Sequence, residues 1–382
     1  MIKLNSILDT DFYKLTMQQA VLEHYPNTIV QYRFNNRRPN ETSFSSEFAK
    51  ELNDSIQETK NLKLSKSEKE WLKKQYFLKP QYIEYLSNYE FDPNEVNFTI
   101  KDGKLELSID GPWHRAILWE VPLMAIISEL NGEFTREQWT YDGQEEKIIQ
   151  KGLLLQNAGC KFADFGTRRR RSFFTQDLVV SNLKQFDNFV GTSNVYLAAK
   201  YNLKAIGTQA HEWIMGISAL ESLRHANRFA MQKWCETYGA NLGTVLPDTF
   251  GTKAFFADFN LYYANLFDSI RHDSGDPFEF VDKVIAHYKN LRIDPNSKTI
   301  IFSDGLNPEL AIKLNEFCKG KIKCAFGIGT NFTNDFSTKS LNMVIKLYYV
   351  DGIPVVKISE EPTKATGDSE ALSVAKWTFG LR

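Results

Sequence analysis

Cysteine is scarce: Cys160, Cys235, Cys318 and Cys324 are the only four in 382 residues, and no two have C-x-x-C spacing. A chain this long buries most of the surface its unfolded form exposes, so it needs no covalent staples. The four cysteines therefore read as reduced interior residues. Net charge is scarce too, since 46 Lys and Arg oppose 47 Asp and Glu and leave −1. No global field draws such a molecule to nucleic acid or to an anionic lipid surface, and any anion it binds must be caught locally. The sequence has no run of about 18 uninterrupted apolar residues, and its start, MIKLNSILDTDFYKL, has no basic segment leading into an apolar one. A cytoplasmic chain with no membrane or nucleic-acid partner is expected. The pattern G-x-x-x-x-G-K-[ST] is also missing, so any ATP binds without a P-loop. There is no internal repeat, low-complexity tract or evident flexible linker, and closely packed domains are expected.

The first part of the chain alternates short strand-like runs, such as Ile29 to Phe34, with charged helical stretches, including one from about Glu51 to Lys74. From Gly111 the texture changes. Apolar runs stop at small or acidic clusters and then give way to helical periodicity, as parallel βα units do. The stops are KFADFGTRR, FVGTSN, AIGTQAH, VLPDTFGT, IRHDSGDP, IIFSDGLNPE and AFGIGTN. Seven polar strand ends fit a TIM-like α/β barrel over 111–330, complete or incomplete, in which the C-terminal strand ends converge on one mouth; an open doubly wound sheet is the alternative. After Asn331 strands return, with Asp351-Gly352 as a hairpin turn. The expected second domain is mixed α/β, built from 1–110 and 331–382.

Asp248, Asp273 and Asp304 each follow an apolar run where a barrel places its active site. Singly, each reads as a helix cap. Together, with Ser and Gly beside them as in Ser274, Gly275 and Gly305, they suit a ribose and its magnesium: carboxylates hold hydroxyls or a hard cation, and glycine lets backbone N–H groups approach phosphate. Gly327-Ile328-Gly329-Thr330-Asn331 offers a similar cradle, a weak signal alone. Arg168-Arg169-Arg170-Arg171 is the densest positive run, and its plain readings are a solvated face or a nucleic-acid patch. Its place after Asp164-Phe165-Gly166-Thr167 suggests instead that Arg168 enters the mouth beside Phe165, a pairing suited to an aromatic ring that carries a carboxylate. The other three arginines are either exposed or reach phosphate. His211 stands at an expected helix start after a small-residue strand end; most isolated histidines are structural, but one at the mouth can attack phosphate if a neighbour orients its ring. Adjacency alone does not make Glu212 that neighbour. In Asp9-Thr10-Asp11-Phe12-Tyr13-Lys14 a plain helix start suffices.

The stretches DTDFYKLTM, DFGTRRRRSF, GTSNVYLA, GTQAHEW, LPDTFGT, IRHDSGDP, FSDGLNPE and FGIGTNF, in this order over nearly the whole chain, resemble the nicotinate phosphoribosyltransferase family, the type II group of phosphoribosyltransferases. The resemblance implies a ligase-class enzyme of NAD biosynthesis that joins nicotinate to phosphoribosyl pyrophosphate, with ATP as co-substrate and Mg2+ as cofactor. It makes His211 a transient phosphohistidine that takes the γ-phosphoryl group of ATP. Phe165 and Tyr13 would sandwich the pyridine ring, with Tyr13 supplied by the partner of an obligate homodimer whose active site lies at the interface. Arg168 would lie near the pyridine substituent. Asp248, Arg271, Asp273, Asp304 and the Gly329-Thr330 loop would form the phosphoribosyl pyrophosphate site, with Asp248 and Asp273 holding magnesium and Lys346 and Lys357 assisting. Nicotinamide-using relatives carry an aspartate where this chain has Ser193, which favours the acid over the amide, because a carboxylate there repels another. Three rivals remain: the nicotinamide-specific relative; a phosphosugar aldolase, whose Schiff-base lysine has no clear candidate beyond Lys161 and Lys253; and an RNA-binding protein using the arginine run, against which the neutral charge counts.

Overall fold

The computed structural model describes residues 4–135 and 139–381. Its strands are β1 (Ile29–Asn36), β2 (Val96–Lys101), β3 (Lys104–Pro112), β4 (Phe162–Asp164), β5 (Phe189–Thr192), β6 (Thr244–Val245), β7 (Ser269–His272), β8 (Thr299–Phe302), β9 (Lys323–Ile328), β10 (Met343–Val350) and β11 (Ile353–Pro354). They form a five-stranded sheet in the order β11-β10-β1-β3-β2 and a six-stranded sheet in the order β5-β4-β9-β8-β7-β6. The chain packs as two compact units. One takes in the described parts of Met1–Gly152, with Ala163–Gly207 and Gly329–Lys346; the other takes in Leu153–Phe162, Thr208–Ile328 and the described part of Leu347–Arg382. The expected domain span 111–330 thus contributes to both. Among the described residues no helix is long and apolar enough to cross a membrane.

In the first unit β3 pairs antiparallel with β1, Tyr32 opposite Ile109, and with β2, Phe98 opposite Leu107. Alternation sends Leu105, Leu107 and Ile109 inward, as a sheet with one covered face requires. Asp102 and Gly103, both at positive φ (50° and 71°), close the β2–β3 hairpin, the conformation a two-residue turn demands. In the second unit the expected turn at Asp351-Gly352 repeats this geometry (φ 48° and 78°) and pairs Val350 with Ile353. Strands β6 to β9 run parallel there, with Arg271 level with Ile301 and His272 with Phe302. The almost unbroken apolar run of β8, Thr299-Ile300-Ile301-Phe302, is the mark of a strand covered on both faces.

The mixed α/β fold stands, but a closed TIM-like barrel does not appear among the described residues. The two-residue strand β6 has a parallel ladder with β7. The segment expected as a further strand, before His211, makes only an isolated bridge, Ala205 to Thr192. Gly207 explains this locally: at φ +154° its Cα lies so close to the helix Phe12–His24 that a Cβ would stand 2.9 Å from the Tyr13 nitrogen. The segment is drawn onto that helix rather than along a strand partner.

The arginine run resolves into four different side chains. Arg170 is fully buried and bidentate on Asp9 (2.7 and 3.0 Å), and its Nε donates to Glu129 at 2.8 Å. Arg171 donates to Thr338 and lies over the rings of Trp139 and Phe336 at 4.9 and 4.8 Å. Arg169 donates twice to the Met343 carbonyl, at 3.1 and 2.7 Å. Arg168 keeps a side chain 31% exposed, with Asp11 at 3.6 Å and Glu120 at 4.0 Å. Arg170→Ala is expected to cost about 3–5 kcal/mol, because it strands two buried carboxylates, whereas Arg168→Ala costs under ~1 kcal/mol. Denaturant midpoints of the two variants measure this, and equal midpoints would contradict it.

Candidate active site

Level parallel strands bring their C-terminal ends together in the second unit. Asp273 follows β7 and Ser303 follows β8; the Ser303 N–H donates to the His272 carbonyl at 3.1 Å, and its hydroxyl donates to Asp273 Oδ1 at 2.9 Å. Arg271, the third residue of β7, grips the same oxygen at 2.6 Å and donates through Nε to Ser303 at 2.7 Å. After β6 comes Asp248, whose Oδ2 accepts from Ser274 at 2.6 Å and pairs with Lys357 at 3.0 Å. His211 opens the helix His211–Leu220, which is anchored by the buried Trp213, Ile214, Met215 and Ile217. The ring thereby meets both carboxylates: Nε2 lies 3.1 Å from Asp273 Oδ2 and 3.5 Å from Asp248 Oδ1.

Lys357 Nζ is closer still to Nε2, at 2.8 Å, while Nδ1 lies 3.0 Å from the Thr249 hydroxyl. An ammonium only donates, so Nε2 accepts and Nδ1 carries the proton toward Thr249. The alternative, Nε2–H donating to Asp273, would set that hydrogen against the ammonium, and the shorter contact decides. Burial disfavours the charged ring and the neighbouring Lys357 adds to this, against the pull of Asp248 and Asp273, so the imidazole pKa falls to about 4. Burial works against both carboxylates as well, but the positive charge around them outweighs it, with Arg271 foremost for Asp273, and both are held below the usual carboxylate range. A neutral imidazole with a bare nitrogen is the form a nucleophile needs.

A second layer lies on the same unit. Glu361 Oε1 accepts from the Gly275 N–H at 3.0 Å and from Lys364 at 2.9 Å, and Lys364 reaches Asp304 at 2.7 Å. Glu360 accepts from the Thr252 N–H at 2.5 Å. Gly275 and Gly305 take positive φ (84° and 57°), and among the described residues nothing lies within 4 Å of the place a Gly305 Cβ would take. Asp304 therefore joins the Asp273 loop through Lys364 and Glu361 rather than through His211. The Ser-Glu-Glu-Pro-Thr-Lys stretch that supplies these groups was missed in the sequence; its signal was a dense acidic and basic cluster directly after Lys357.

His211 Nε2, Asp248 and Asp273 offer ligand atoms within 4.8 Å of one another, and Asp248 Oδ1 is buried with no hydrogen-bond donor among the described residues. Hard carboxylate oxygens fit magnesium and the imidazole does not, so Asp248 and Asp273 are the residues suited to it. Lys357 and Arg271 already balance their charge, which favours an ion that arrives with an anionic ligand.

The first unit holds a separate polar cluster. Ser193 donates to Asp11 Oδ1 at 2.7 Å; Arg168 Nε lies 3.6 Å from Asp11 Oδ2 and its Nη1 4.0 Å from Glu120. The Arg168 guanidinium sits over the Tyr13 ring of the same chain at 6.0 Å. Burial raises the Asp11 pKa despite Arg168. Glu120 is buried too, but Lys14 at 2.5 Å, Lys346 and Arg168 bring it below its ordinary value. Gly329 packs on the Phe165 carbonyl, where a Cβ would come within 3.1 Å, and Thr330 starts a short helix, so both stand in this unit beside half-buried Phe165. Sequence reasoning passed over Asp11 and Glu120 because each sits where a helix cap or an apolar run accounts for it.

Between pH 6.5 and about 4 the unfolded chain protonates His211 while the folded one does not, so stability falls as pH drops through that window. His211→Gln is expected to remove a component on the order of 1–3 kcal/mol from that acid loss. Stability curves at both ends of the window test it, and parallel curves for the two proteins would refute it.

The sequence matches the model of the nicotinate phosphoribosyltransferase (NAPRTase) family over residues 160–382 and that of its N-terminal domain over residues 8–128. A nicotinate phosphoribosyltransferase of Methanosarcina acetivorans is 50% identical, with 99% of each chain covered. Crystal structures of nicotinate phosphoribosyltransferases from Porphyromonas gingivalis and Vibrio cholerae superpose with TM-scores of 0.96 and 0.93 at 40% and 36% identity. They cover 99% of this chain, and 100% and 94% of their own. Matched by both family models and 50% identical to a relative over 99% of its length, the chain belongs to the nicotinate phosphoribosyltransferase family.

Proposed function

We propose that this chain joins nicotinate to phosphoribosyl pyrophosphate, forming nicotinate mononucleotide and pyrophosphate, and couples the step to ATP hydrolysis through a phosphohistidine at His211. The observation that carries the coupling is the buried ring of His211, in contact with Thr249 through Nδ1 and with Asp248, Asp273 and Lys357 through Nε2. Its Nε2 attacks the γ-phosphorus, ADP leaves, and Lys357 moves from the lone pair onto the phosphoryl oxygens, whose charge it offsets; after the transfer, water cleaves the P–N bond, releasing phosphate and restoring the ring. In the transfer itself the pyridine nitrogen bonds to ribose C1 as the C1–O bond to pyrophosphate breaks. Asp248 and Asp273 face the positive charge that builds on the sugar, and Arg271 and Lys364 face the departing pyrophosphate. Magnesium held by Asp248 and Asp273 would neutralise part of that pyrophosphate charge.

Nicotinate is placed against Arg168, with Tyr13 and Phe165 as stacking surfaces, and fixing the ring there converts an encounter into a positioned step. The same reading takes the enzyme as an obligate homodimer with its active site at the interface, in which the Tyr13 that stacks on the ring reaches over from the partner. Ser193, where nicotinamide-specific relatives have an aspartate, supports the acid over the amide.

Incubation with nicotinate, phosphoribosyl pyrophosphate and magnesium, with and without ATP, should yield the mononucleotide faster with ATP. His211→Ala should lose ATP hydrolysis and ATP stimulation yet retain slow transfer; ATP-coupled turnover in that variant would end the assignment. Arg168→Ala, losing a charged contact worth about 1.5–3 kcal/mol, should raise the KM for nicotinate roughly 10- to 150-fold. An unchanged KM would place the carboxylate elsewhere.

A further inference from the structure

Asp11 lies where a pyridine carboxylate would be least welcome. It is 2% exposed, its Oδ1 is 2.7 Å from the Ser193 hydroxyl, and its Oδ2 faces Arg168 at 3.6 Å. Polar and charged groups face it from the elements packed around it. Thr167 and Ser193 give it hydrogen bonds, while Arg168 faces it as a cation. Glu120 adds negative charge but is matched by Lys14, Lys346 and Arg168. Asp164 stands behind, its carboxylate holding the Gly166 N–H, Gln176 and Thr192 at 2.8, 2.9 and 2.7 Å.

A serine hydroxyl has one hydrogen. With Asp11 ionised, that hydrogen is committed to Oδ1, and Ser193 shows an incoming pyridine substituent only lone pairs. This suits the N–H of an amide and repels a carboxylate. With a proton on Asp11 the chain of donors reverses: the carboxyl O–H donates to Ser193 Oγ, and the serine hydrogen turns outward to donate to a carboxylate. The same proton removes the nearer of the two carboxylates that face Arg168, leaving Glu120 at 4.0 Å.

We infer that Asp11 is the positioning residue that decides between pyridine acid and pyridine amide, taking up one proton when nicotinate binds through Ser193 and Arg168, and staying ionised when the amide binds. The inference rests on the nicotinate reading of this pocket and deepens it. Burial, which already favours the protonated carboxyl, acts in the same direction.

The test is the ratio of kcat/KM for nicotinate to that for nicotinamide, measured across neutral and alkaline pH with the same enzyme. Taking the ratio cancels the titration of groups that serve both substrates. In the wild type it should fall by about tenfold per pH unit once Asp11 ionises, the slope of a single linked proton. Asp11→Asn cannot ionise, and its amide N–H donates to Ser193 as the protonated acid does, so its ratio should be flat. Ser193→Ala cuts the relay but leaves the Asp11–Arg168 contact, so its ratio should fall by less in total than the wild type's and start from a lower preference for the acid, which serves if Asp11→Asn does not fold. A flat wild-type ratio, or the wild-type slope retained in Asp11→Asn, overturns the inference. No mononucleotide from either pyridine at any pH would instead defeat the proposed function beneath it.

Discussion

An imidazole held neutral between two carboxylates is the constraint on which the second unit depends. Carboxylates beside a histidine ordinarily draw a proton onto it; here burial and the Lys357 ammonium prevail, and the pKa falls to about 4. That balance requires Asp248 and Asp273 to have cations of their own, which Lys357 and Arg271 provide, and it requires parallel strands ending at one level so that Ser303 and Asp273 meet. The helix behind His211, apolar along most of its length, supplies the rigid support. Chemistry that needs an unprotonated nitrogen among acids follows from packing as much as from sequence motif.

In the first unit the same currency, buried charge, does a different task. Arg170 ties Asp9 and Glu129 together far from solvent, and Asn194 donates to Asp9 at 2.8 Å. Residues 9 to 13 are thereby held against the strand end at Ser193, where the Phe12 N–H donates to the Ser193 carbonyl at 2.7 Å. Asp11 and Tyr13 are presented to Arg168 by a segment that its own short-range preferences would make only a helix start.

Much of the placement was legible from residue pattern. Acidic or glycine-containing stops after apolar runs mark real strand ends at β4, β5, β7, β8 and β9, and the Asp-Gly pair at 351–352 marks a real hairpin, because glycine and aspartate tolerate the backbone angles that such breaks need. The meeting of His211 with Asp248 and Asp273 follows from those ends. Barrel closure was not legible: whether the residues around Ala205 extend or bend depends on how closely Gly207 approaches Tyr13, nearly two hundred positions away. Glu120 was hidden in an apolar helix because its charge is matched by Lys14 and Lys346, which come from opposite ends of the sequence.

The four consecutive arginines carry a consequence for how the molecule meets its surroundings. Two guanidiniums are buried, on Asp9 and Glu129 and between Trp139 and Phe336, and a third is turned onto the Met343 carbonyl. A polyanion passing over this stretch meets the half-buried side chains of Arg168 and Arg169 rather than four outward charges, so the run adds less to the positive field of the folded surface than its letters suggest.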